Sequence, residues 1–374
     1  MSGDPSDNSH RHSRVLIDAT PLLGQRSGIG RYTAALLREL AIRPDVDVSV
    51  TAFTARGQAA LRAAVPPGIR VRGGPVPARV LRQLWQRAGW PPTELLAGHA
   101  DVLHATNFVL PPSKRARGVV TVHDLAFLDR PDQLARQQRD LPDLVARSVA
   151  RAAVVCTPSA AVAQQVARRL GVPAQRIVVT PLGVDRSWLT AAAPTEALRT
   201  ALGLPRRYLL FVGAAQPRKG LDVLLDAHAA RSDLAPLVLA GPAGWGPTPV
   251  ARQHRVRTLG YLDDADLRCV VAGATALVLP SRDEGFGLPV LEAMAAGVPV
   301  VCSDLPALRE ITGGLATLVA PEDPVALAAA LATVADSGCD PAGAAARRAH
   351  AARYTWQACA QATTRAYRQA LDRQ

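Results

Sequence analysis

Short apolar runs alternate with amphipathic stretches along most of the chain. In the first half these runs occupy 14–19, 46–53, 101–105, 118–122, 153–157 and 177–180. Apolar residues at helical spacing lie between several of them, including 31–40 and 160–170. Strands that alternate with helices predict a parallel, doubly wound sheet.

The second half repeats this pattern after a change in composition. The segment 186–206 is rich in Ala, Pro and Thr, and apolar runs follow at 208–212, 237–241, 275–280 and 298–302. Such a shift is typical of a domain boundary. The sequence therefore predicts an α/β protein with a disordered tail over 1–13 and domains over 14–188 and 205–345. The segment 344–374 is helical in pattern, and its last helix, about 354–374, is assigned to the first domain.

One stretch after the run 275–280 concentrates unusual residues. The segment 281–297 reads Ser-Arg-Asp-Glu-Gly-Phe-Gly-Leu-Pro-Val-Leu-Glu-Ala-Met-Ala-Ala-Gly. Glu284 and Glu292 have seven residues between them. Pro289 is typical of a helix start and Gly297 of a helix end. The order strand, glycine-rich loop, helix places this loop where open α/β sheets bind ligands.

The glycines of this loop suggest close approach to a ligand. Gly285 and Gly287 let the backbone come near a bound molecule, and a helix N-terminus attracts anions. The structural alternative is that Glu284 caps the helix and Glu292 is a solvated helix residue.

A second loop carries two adjacent cations. Arg218 and Lys219 follow the run 208–212 and precede a helical stretch over 221–228. A loop in this position suits a diphosphate. The forked guanidinium of arginine and the compact ammonium of lysine can bind neighbouring phosphates. Only two of the chain's 43 basic residues are lysines, and Lys219 is one of them. The alternative is ordinary surface charge.

The first domain contributes two further candidates. Gly28, Ile29 and Gly30 end a glycine-rich loop that follows the first strand, although the pattern lacks the third glycine of a dinucleotide fingerprint. His123 stands at the end of a predicted strand and is followed by Asp124. The alternatives are a tight turn for the glycines and a packing role for the histidine.

Composition narrows the classes of function. The 374 residues carry a net charge of +12, but the arginines are scattered and form no aromatic-plus-basic module, so we expect no nucleic-acid partner. Five cysteines without a Cys-x-x-Cys pair indicate reduced thiols in a cytoplasmic protein. The first fourteen residues lack a signal-peptide core, and no apolar run approaches the length of a membrane span.

One predicted helix has a mixed surface. The segment 78–88 places Val80, Leu81, Leu84 and Trp85 on one face, with arginines around them. Such a helix can lie on an anionic membrane and meet a lipid-linked acceptor, which would place the protein peripherally at the inner membrane face. The alternative is that the apolar face packs on its own domain.

The pair Glu284 and Glu292, with Gly-Phe-Gly-Leu-Pro between them, resembles the E-x7-E signature of retaining glycosyltransferases with the GT-B fold, family 4 (glycosyl transferases group 1). The resemblance extends over nearly the whole chain from about residue 14. It implies two doubly wound Rossmann-like domains that face each other across a cleft, with a C-terminal helix that crosses back to the first domain.

The resemblance also assigns roles to residues. It implies that Arg218 and Lys219 hold the diphosphate of a nucleotide-sugar, that Glu284 and the backbone of 285–287 hold the sugar, and that Glu292 binds the ribose. His123 would contact the donor sugar near its anomeric centre. The family's other donor-site positions correspond to Gly28, Ile29, Gly30, Gly285, Phe286, Gly287 and Leu288, and to Tyr261 and Leu262 beside the base.

The reaction implied is transfer of a hexose to a hydroxyl of a glycan, lipid-linked or small-molecule acceptor, with retained configuration. No Asp-x-Asp motif lies in these loops, so we expect no metal and no other cofactor. The sequence looks most like mannosyltransferases that use GDP-mannose, and a UDP- or TDP-sugar is the main competitor. Other hypotheses are a nucleotide-sugar epimerase, a glycogen-type synthase, a catalytically silent partner and a polyanion-binding protein.

Overall fold

The computed structural model describes residues 12–24, 28–129, 139–242, 255–336 and 340–373. This part of the chain forms two compact units. The first contains the residues up to Leu182 and those from Trp356 onward, and the second is Gly183–Thr355. The segment 186–206, interpreted above as a domain boundary, holds two short helices and lies within the second unit.

The first unit is built on a seven-stranded parallel sheet with strand order 3-2-1-4-5-6-7. Its strands are β1 (Ser13–Asp18), β2 (Val46–Thr51), β3 (Arg70–Val71), β4 (Val102–Ala105), β5 (Arg117–Thr121), β6 (Val154–Thr157) and β7 (Ile177–Val179). Its helices are α1 (Gly28–Ala41), α2 (Gln58–Ala64), α3 (Ala78–Ala88), α4 (Thr93–Ala97), α5 (Ala126–Asp129), α6 (Leu141–Arg151), α7 (Ala160–Leu170) and, at the end of the chain, α16 (Trp356–Asp372).

The second unit is built on a six-stranded parallel sheet with strand order 10-9-8-11-12-13. Its strands are β8 (Leu209–Val212), β9 (Leu237–Ala240), β10 (Val256–Gly260), β11 (Ala276–Leu279), β12 (Val300–Ser303) and β13 (Thr317–Val319). Its helices are α8 (Arg186–Leu189), α9 (Glu196–Leu202), α10 (Leu221–Ala229), α11 (Asp264–Ala272), α12 (Leu288–Ala295), α13 (Pro306–Thr312), α14 (Pro324–Asp336) and α15 (Pro341–Ala351).

The apolar runs became the central strands because those strands are covered on both faces. Every residue of β4, β6, β8, β9, β11 and β12 is buried. Strands in this position carry continuous apolar sequence rather than alternation. The prediction of parallel, doubly wound sheets is confirmed.

Each sheet has one place where the strand order reverses. In the first sheet it lies between β1 and β4, and in the second between β8 and β11. Loops that leave two such neighbouring strands run to opposite faces of the sheet and leave a crevice at its carboxyl edge. The loop after β8 carries Arg218 and Lys219, and the loop after β11 carries Glu284.

The C-terminal segment differs from its prediction in one respect. Residues 344–374 were predicted as helical throughout, but α15 and α16 are separated by 352–355. Tyr354 lies in this break, where its carbonyl accepts the Val184 N–H at 3.0 Å. Its ring packs on Phe286, so Tyr354, with which the last helix was predicted to begin, precedes that helix and belongs to the second unit.

The beginning of the chain brings two further corrections. Ser13, placed in the disordered tail, is the first residue of β1 and pairs with Val46; residues 1–11 lie outside the described ranges. Gly28, Ile29 and Gly30 form the first turn of α1 rather than a loop.

Candidate functional site

An ion pair lies where the order of the second sheet reverses. Lys219 ends a 3₁₀ turn after β8, and its Nζ donates a hydrogen bond to the carboxylate of Glu284, in the loop after β11. The two side chains are only 12% and 7% exposed. The Ser281 hydroxyl donates a second bond to the same carboxylate at 2.8 Å. The structure thus brings together two residues predicted from separate motifs.

The surroundings keep Glu284 ionised. Burial by itself raises the pKa of this carboxyl, but the charges of Lys219 and Arg218 and the bonds from Lys219 and Ser281 outweigh burial and lower the pKa. Glu284 does not cap α12, because Gly287 is the N-cap and no side chain caps that helix. The alternative interpretations of Glu284 as a cap and of Lys219 as surface charge are therefore wrong.

Gly220 allows the two loops to touch. It has φ +63°, and a Cβ built on it would lie 2.0 Å from the carbonyl oxygen of Pro280. The Arg282 N–H also donates to the Arg218 carbonyl at 2.8 Å. The cationic turn and the glutamate loop are thus joined through their backbones, which fixes the distance between Lys219 and Glu284.

Arg282 ties the same loops together through its side chain. The guanidinium forms two bonds to Asp222 on α10, at 2.8 and 2.7 Å, and one to Glu322 at 2.8 Å. It also donates to the Pro217 carbonyl at 2.7 Å. This residue had no role assigned from sequence, although it lies in the stretch 281–297. Its partners are about 40 to 65 positions away along the chain, so no local pattern indicated them.

Helix α12 is oriented with its N-terminus at the glutamate loop. Its N-terminus has no side-chain cap, whereas Arg347 and Arg348 of α15 donate to the carbonyls that follow its C-terminal turn, at 3.1 and 3.0 Å. Cations at the C-terminus complement the helix dipole and leave its positive end to attract an anion.

The remaining residues of this loop and helix are buried. Glu292 is 2% exposed and is thus not a solvated helix residue. Phe286 and Leu288 are 5% and 7% exposed, and Phe286 packs on Tyr354. Their side chains serve packing, so a ligand contact from Phe286 or Leu288 would come from the backbone, as it must from Gly285 and Gly287.

Tyr261 and Leu262 lie farther along the same edge. They follow β10, the edge strand, which is two strands from β8 and hence about 10 Å away. Tyr261 is 46% exposed and Leu262 is half-buried. The structure therefore places both residues at the carboxyl edge of the sheet.

In the first unit His123 follows β5 and is held firmly. Its Nε2 donates to the Thr106 carbonyl at 2.8 Å, and the rings of Tyr32 and Phe108 pack edge-on against it. Burial lowers its pKa, against the raising effects of the Thr106 bond and Asp124. The imidazole is therefore neutral, and since Nε2 carries the proton, Nδ1 is a hydrogen-bond acceptor.

The first turn of α1 is linked to His123 through threonine hydroxyls. The single hydroxyl proton of Thr33 lies within reach of two acceptors, the Ile29 carbonyl oxygen at 2.9 Å and the Thr106 hydroxyl oxygen at 3.2 Å. The Thr106 hydroxyl in turn donates to the Asp18 carbonyl at 2.8 Å, and the Thr106 carbonyl holds His123. Two candidates predicted from distant segments therefore share one support.

A buried chain of polar groups runs from Tyr32 to the C-terminal helix. The hydroxyls of Tyr32 and Thr121 lie 3.2 Å apart, and Thr121 lies 2.8 Å from His104 Nε2. His104 Nδ1 is 2.8 Å from the hydroxyl of Tyr367 on α16. Burial lowers the pKa of His104 to about 3, so this network contains no charge at neutral pH.

The described ranges contain neither a cluster of metal-ligating side chains nor a helix suited to a membrane. No group of three or more His, Cys, Asp or Glu residues there could hold a metal ion. No helix within those ranges has both the length and the apolar content to cross a membrane.

Comparison with known families gives two matches. Residues 26–188 match glycosyltransferase family 4, and residues 206–337 match glycosyl transferases group 1. The chain is 31% identical to a D-inositol 3-phosphate glycosyltransferase of Thermobispora bispora, over 97% of this chain and 96% of that protein. It is 28% identical to the O-antigen chain mannosyltransferase B of Escherichia coli, over 95% and 99% of the two chains.

Solved structures share the fold at low sequence identity. Sucrose-phosphate synthase from Thermosynechococcus elongatus has a TM-score of 0.70 at 22% identity, over 96% of this chain and 99% of that one. The Anabaena protein HepE, solved in complex with UDP-glucose, has a TM-score of 0.70 at 20% identity, over 95% and 99% of the chains.

Proposed function

Because the chain belongs to glycosyltransferase family 4 and has the GT-B fold, we propose that it transfers a hexose from a nucleotide-sugar to an acceptor hydroxyl with retention of configuration. The observation that supports the donor site most directly is the buried contact of Lys219 with Glu284 where the second sheet reverses its strand order. Both groups lie at the edge of the sheet where its strands end. The cation suits the diphosphate of a nucleotide-sugar donor, and the carboxylate suits the hydroxyls of its sugar.

Arg218 and Lys219 hold the diphosphate and stabilise the negative charge that develops on it as it leaves. An ammonium has three N–H donors, so Lys219 can donate to Glu284 and to a phosphate oxygen of the donor at the same time. Glu284, which is ionised, accepts hydrogen bonds from sugar hydroxyls. The uncapped N-terminus of α12 adds further attraction for the diphosphate.

Glu292 forms hydrogen bonds with the ribose hydroxyls, and the backbone of Gly285 and Gly287 binds the transferred sugar. His123, neutral and with Nδ1 as acceptor, orients the transferred hexose. The acceptor hydroxyl attacks the anomeric carbon on the face from which the nucleoside diphosphate leaves, and its proton passes to the departing phosphate oxygen. The new bond therefore forms on the side of the broken one, which retains the anomeric configuration. The residues named here supply positioning and electrostatic stabilisation, so the proposed reaction requires no metal ion.

We favour GDP-mannose as donor. The support is the Gly-Phe-Gly-Leu-Pro segment, and one relative is named a mannosyltransferase. A UDP-sugar is the second candidate, because HepE was solved with UDP-glucose. The acceptor is a hydroxyl of a glycan, a lipid-linked sugar or a small molecule. The four described cysteines are free thiols, in keeping with our placement of the protein in the cytoplasm.

Thermal unfolding with a panel of nucleotides tests the donor site. At a hundred times its dissociation constant a ligand adds about 2.7 kcal/mol, or roughly 5–10 °C for units of this size. We expect GDP and GDP-mannose to give this shift equally with magnesium and with a chelator. If only UDP or TDP raises the unfolding temperature, the donor is a UDP- or TDP-sugar and not GDP-mannose. If the nucleotides raise it only with magnesium present, the proposed metal independence is wrong.

The Arg218→Gln variant makes the same experiment specific to the site. We expect it to lose most of the nucleotide shift, whereas Arg206→Gln, an exposed arginine before β8, keeps it. If the nucleotide raises the unfolding temperature equally in both variants, Arg218 does not bind the diphosphate. No shift with any nucleotide in the wild type would contradict the donor site itself.

His123→Ala should lower kcat for transfer by about a hundredfold, since it removes an orienting acceptor near the reacting carbon. Because the pKa of His123 is lowered, the neutral form persists below pH 6.5, and the wild-type rate should fall only in more acid solution. The pH profile of kcat and the nucleotide shift are measured together. Loss of the shift, with kcat unchanged at saturation, would assign His123 to binding alone.

A further inference from the structure

Helix α3 exposes half of its apolar face. Four residues were predicted to share this face, but the unit covers only Leu81, which is 5% exposed, and part of Trp85. Val80 and Leu84, one helical turn apart, are 54% and 39% exposed. The apolar stripe is therefore wider than the surface on which the helix packs.

More apolar surface lies directly after the helix. Trp85 donates its indole N–H to the Pro91 carbonyl at 2.8 Å, which holds the segment after α3 against the helix. Trp90, in that segment, is 55% exposed, and Leu95 on α4 is 68% exposed. Seven large apolar side chains are exposed in the described ranges, and four of them fall between residues 80 and 95. So many exposed apolar side chains within sixteen residues exceed the scattered single exposures that are normal on a protein surface.

Basic side chains surround this surface. Arg79 and Arg87 on α3 are exposed, and neither forms an ion pair with any described residue. The Glu94 carboxylate of α4 accepts the backbone N–H groups of Lys114 and Arg115, at 3.1 and 2.8 Å. Those bonds hold two more exposed cations beside α4.

We propose that this surface, comprising Val80, Leu84, Arg79 and Arg87 of α3 with Trp90 and Leu95, docks on an anionic lipid bilayer and is here called the α3 surface. An apolar stripe flanked by arginines fits an interface of acyl chains and negative headgroups. A second copy would bring the same cations face to face in a two-fold contact, which is unfavourable. The proposal does not depend on the transferase reaction.

Flotation with lipid vesicles tests the α3 surface. The full-length protein is mixed with phosphatidylglycerol–phosphatidylcholine vesicles or with pure phosphatidylcholine vesicles, and the bound fraction is measured at low and high salt. We expect binding to the anionic vesicles, weakened by salt, because surface charges are screened. Trp90 fluorescence should shift to shorter wavelength on binding, and Trp90→Phe removes that signal.

Matched variants distinguish vesicle binding through the α3 surface from binding through the net positive charge of the whole protein. Arg79→Gln with Arg87→Gln should weaken vesicle binding about thirtyfold, since each cation at an anionic surface contributes about a fivefold factor. Leu84→Gln should weaken it about tenfold. The controls are Arg206→Gln with Arg365→Gln, which removes the same charge elsewhere, and Val325→Gln, another exposed apolar residue. All changed side chains are exposed, so unfolding temperatures should stay the same.

Three results would overturn the proposal. The first is a wild type that does not float with anionic vesicles. The second is equal loss of binding in the charge-matched control, which would assign the effect to net charge. The third is a concentration-dependent dimer, seen by sedimentation and lost in Leu84→Gln, in a protein that ignores vesicles; the α3 surface would then join two copies.

Discussion

Lys219→Met should abolish the stabilisation by donor nucleotide and lower the free energy of unfolding by about 3 kcal/mol. Removing one partner of a buried ion pair leaves the other charge buried without compensation. Here that charge is Glu284, whose side chain is 7% exposed. We expect transfer activity to fall at least a thousandfold, since the diphosphate also loses a cation at the point where charge develops.

The double variant Lys219→Met with Glu284→Gln separates stability from function. Without the buried charge the free energy of unfolding should recover most of the loss, while nucleotide binding and activity stay absent. Urea unfolding of the wild type, both single variants and the double variant gives the coupling energy. An uncoupled pair, with losses that simply add, would contradict the contact.

The stability that the Lys219–Glu284 pair adds to the wild type should be largest at neutral pH and decrease in acid. The folded-state pKa of Glu284 is lowered, so the pair stabilises the wild type fully above the unfolded value of about 4.3. This stabilisation is lost as the pH falls through the folded-state pKa. In Lys219→Met the buried carboxyl loses the main group that lowers its pKa and takes up a proton more readily. The difference between variant and wild type should therefore shrink as the pH falls toward the unfolded value of about 4.3 and continue to shrink below it.

Gly220→Ala should lower the free energy of unfolding by about 3 kcal/mol and remove nucleotide binding. The new Cβ would stand 2.0 Å from the Pro280 carbonyl oxygen, a distance that forces the two loops apart. The left-handed backbone adds a cost of about 1–2 kcal/mol for any side chain. Because the loop after β8 carries Lys219, its displacement changes the cation's position as well as the stability.

Gly171→Ala provides a matched control for the backbone term. Gly171, which ends α7, has φ +62° against +63° for Gly220, but a Cβ there would meet no atom within 4 Å. It should lose only the backbone cost and keep the nucleotide shift. Similar losses of stability in the two variants would show that the contact with Pro280 does not constrain the loops.

Much of the fold follows from local sequence. Buried parallel strands need continuous apolar runs, and the helices α3 and α7 have the limits that their periodicity predicts. The short edge strand β3 was missed, because two residues of which one is charged and exposed carry no pattern. Helices α8 and α9 were missed because their Ala-, Pro- and Thr-rich segment resembles a linker in composition.

The positions of the candidate residues were predictable where a single motif contains them. Arg218, Lys219, Glu284 and Glu292 stand out by type and spacing, and the strand order explains why two separate loops meet. The supports were not predictable. Arg282 contacts residues far along the chain, and His123 depends on Thr106 and on the rings of Tyr32 and Phe108. Such pairings are set by the tertiary fold and leave no local signal.

The place of α16 in the first unit has a consequence for synthesis on the ribosome. Its Tyr367 bonds His104 and is buried, yet it is translated only after all of Gly183–Thr355. At the usual rate of elongation the interval is about 10 to 35 s. The second unit is continuous and is free to fold during that interval. During that interval the surface of the first unit that α16 will cover stays exposed. A chain that stops a few residues early lacks part of α16, and the unit left incomplete is the one that was synthesised first.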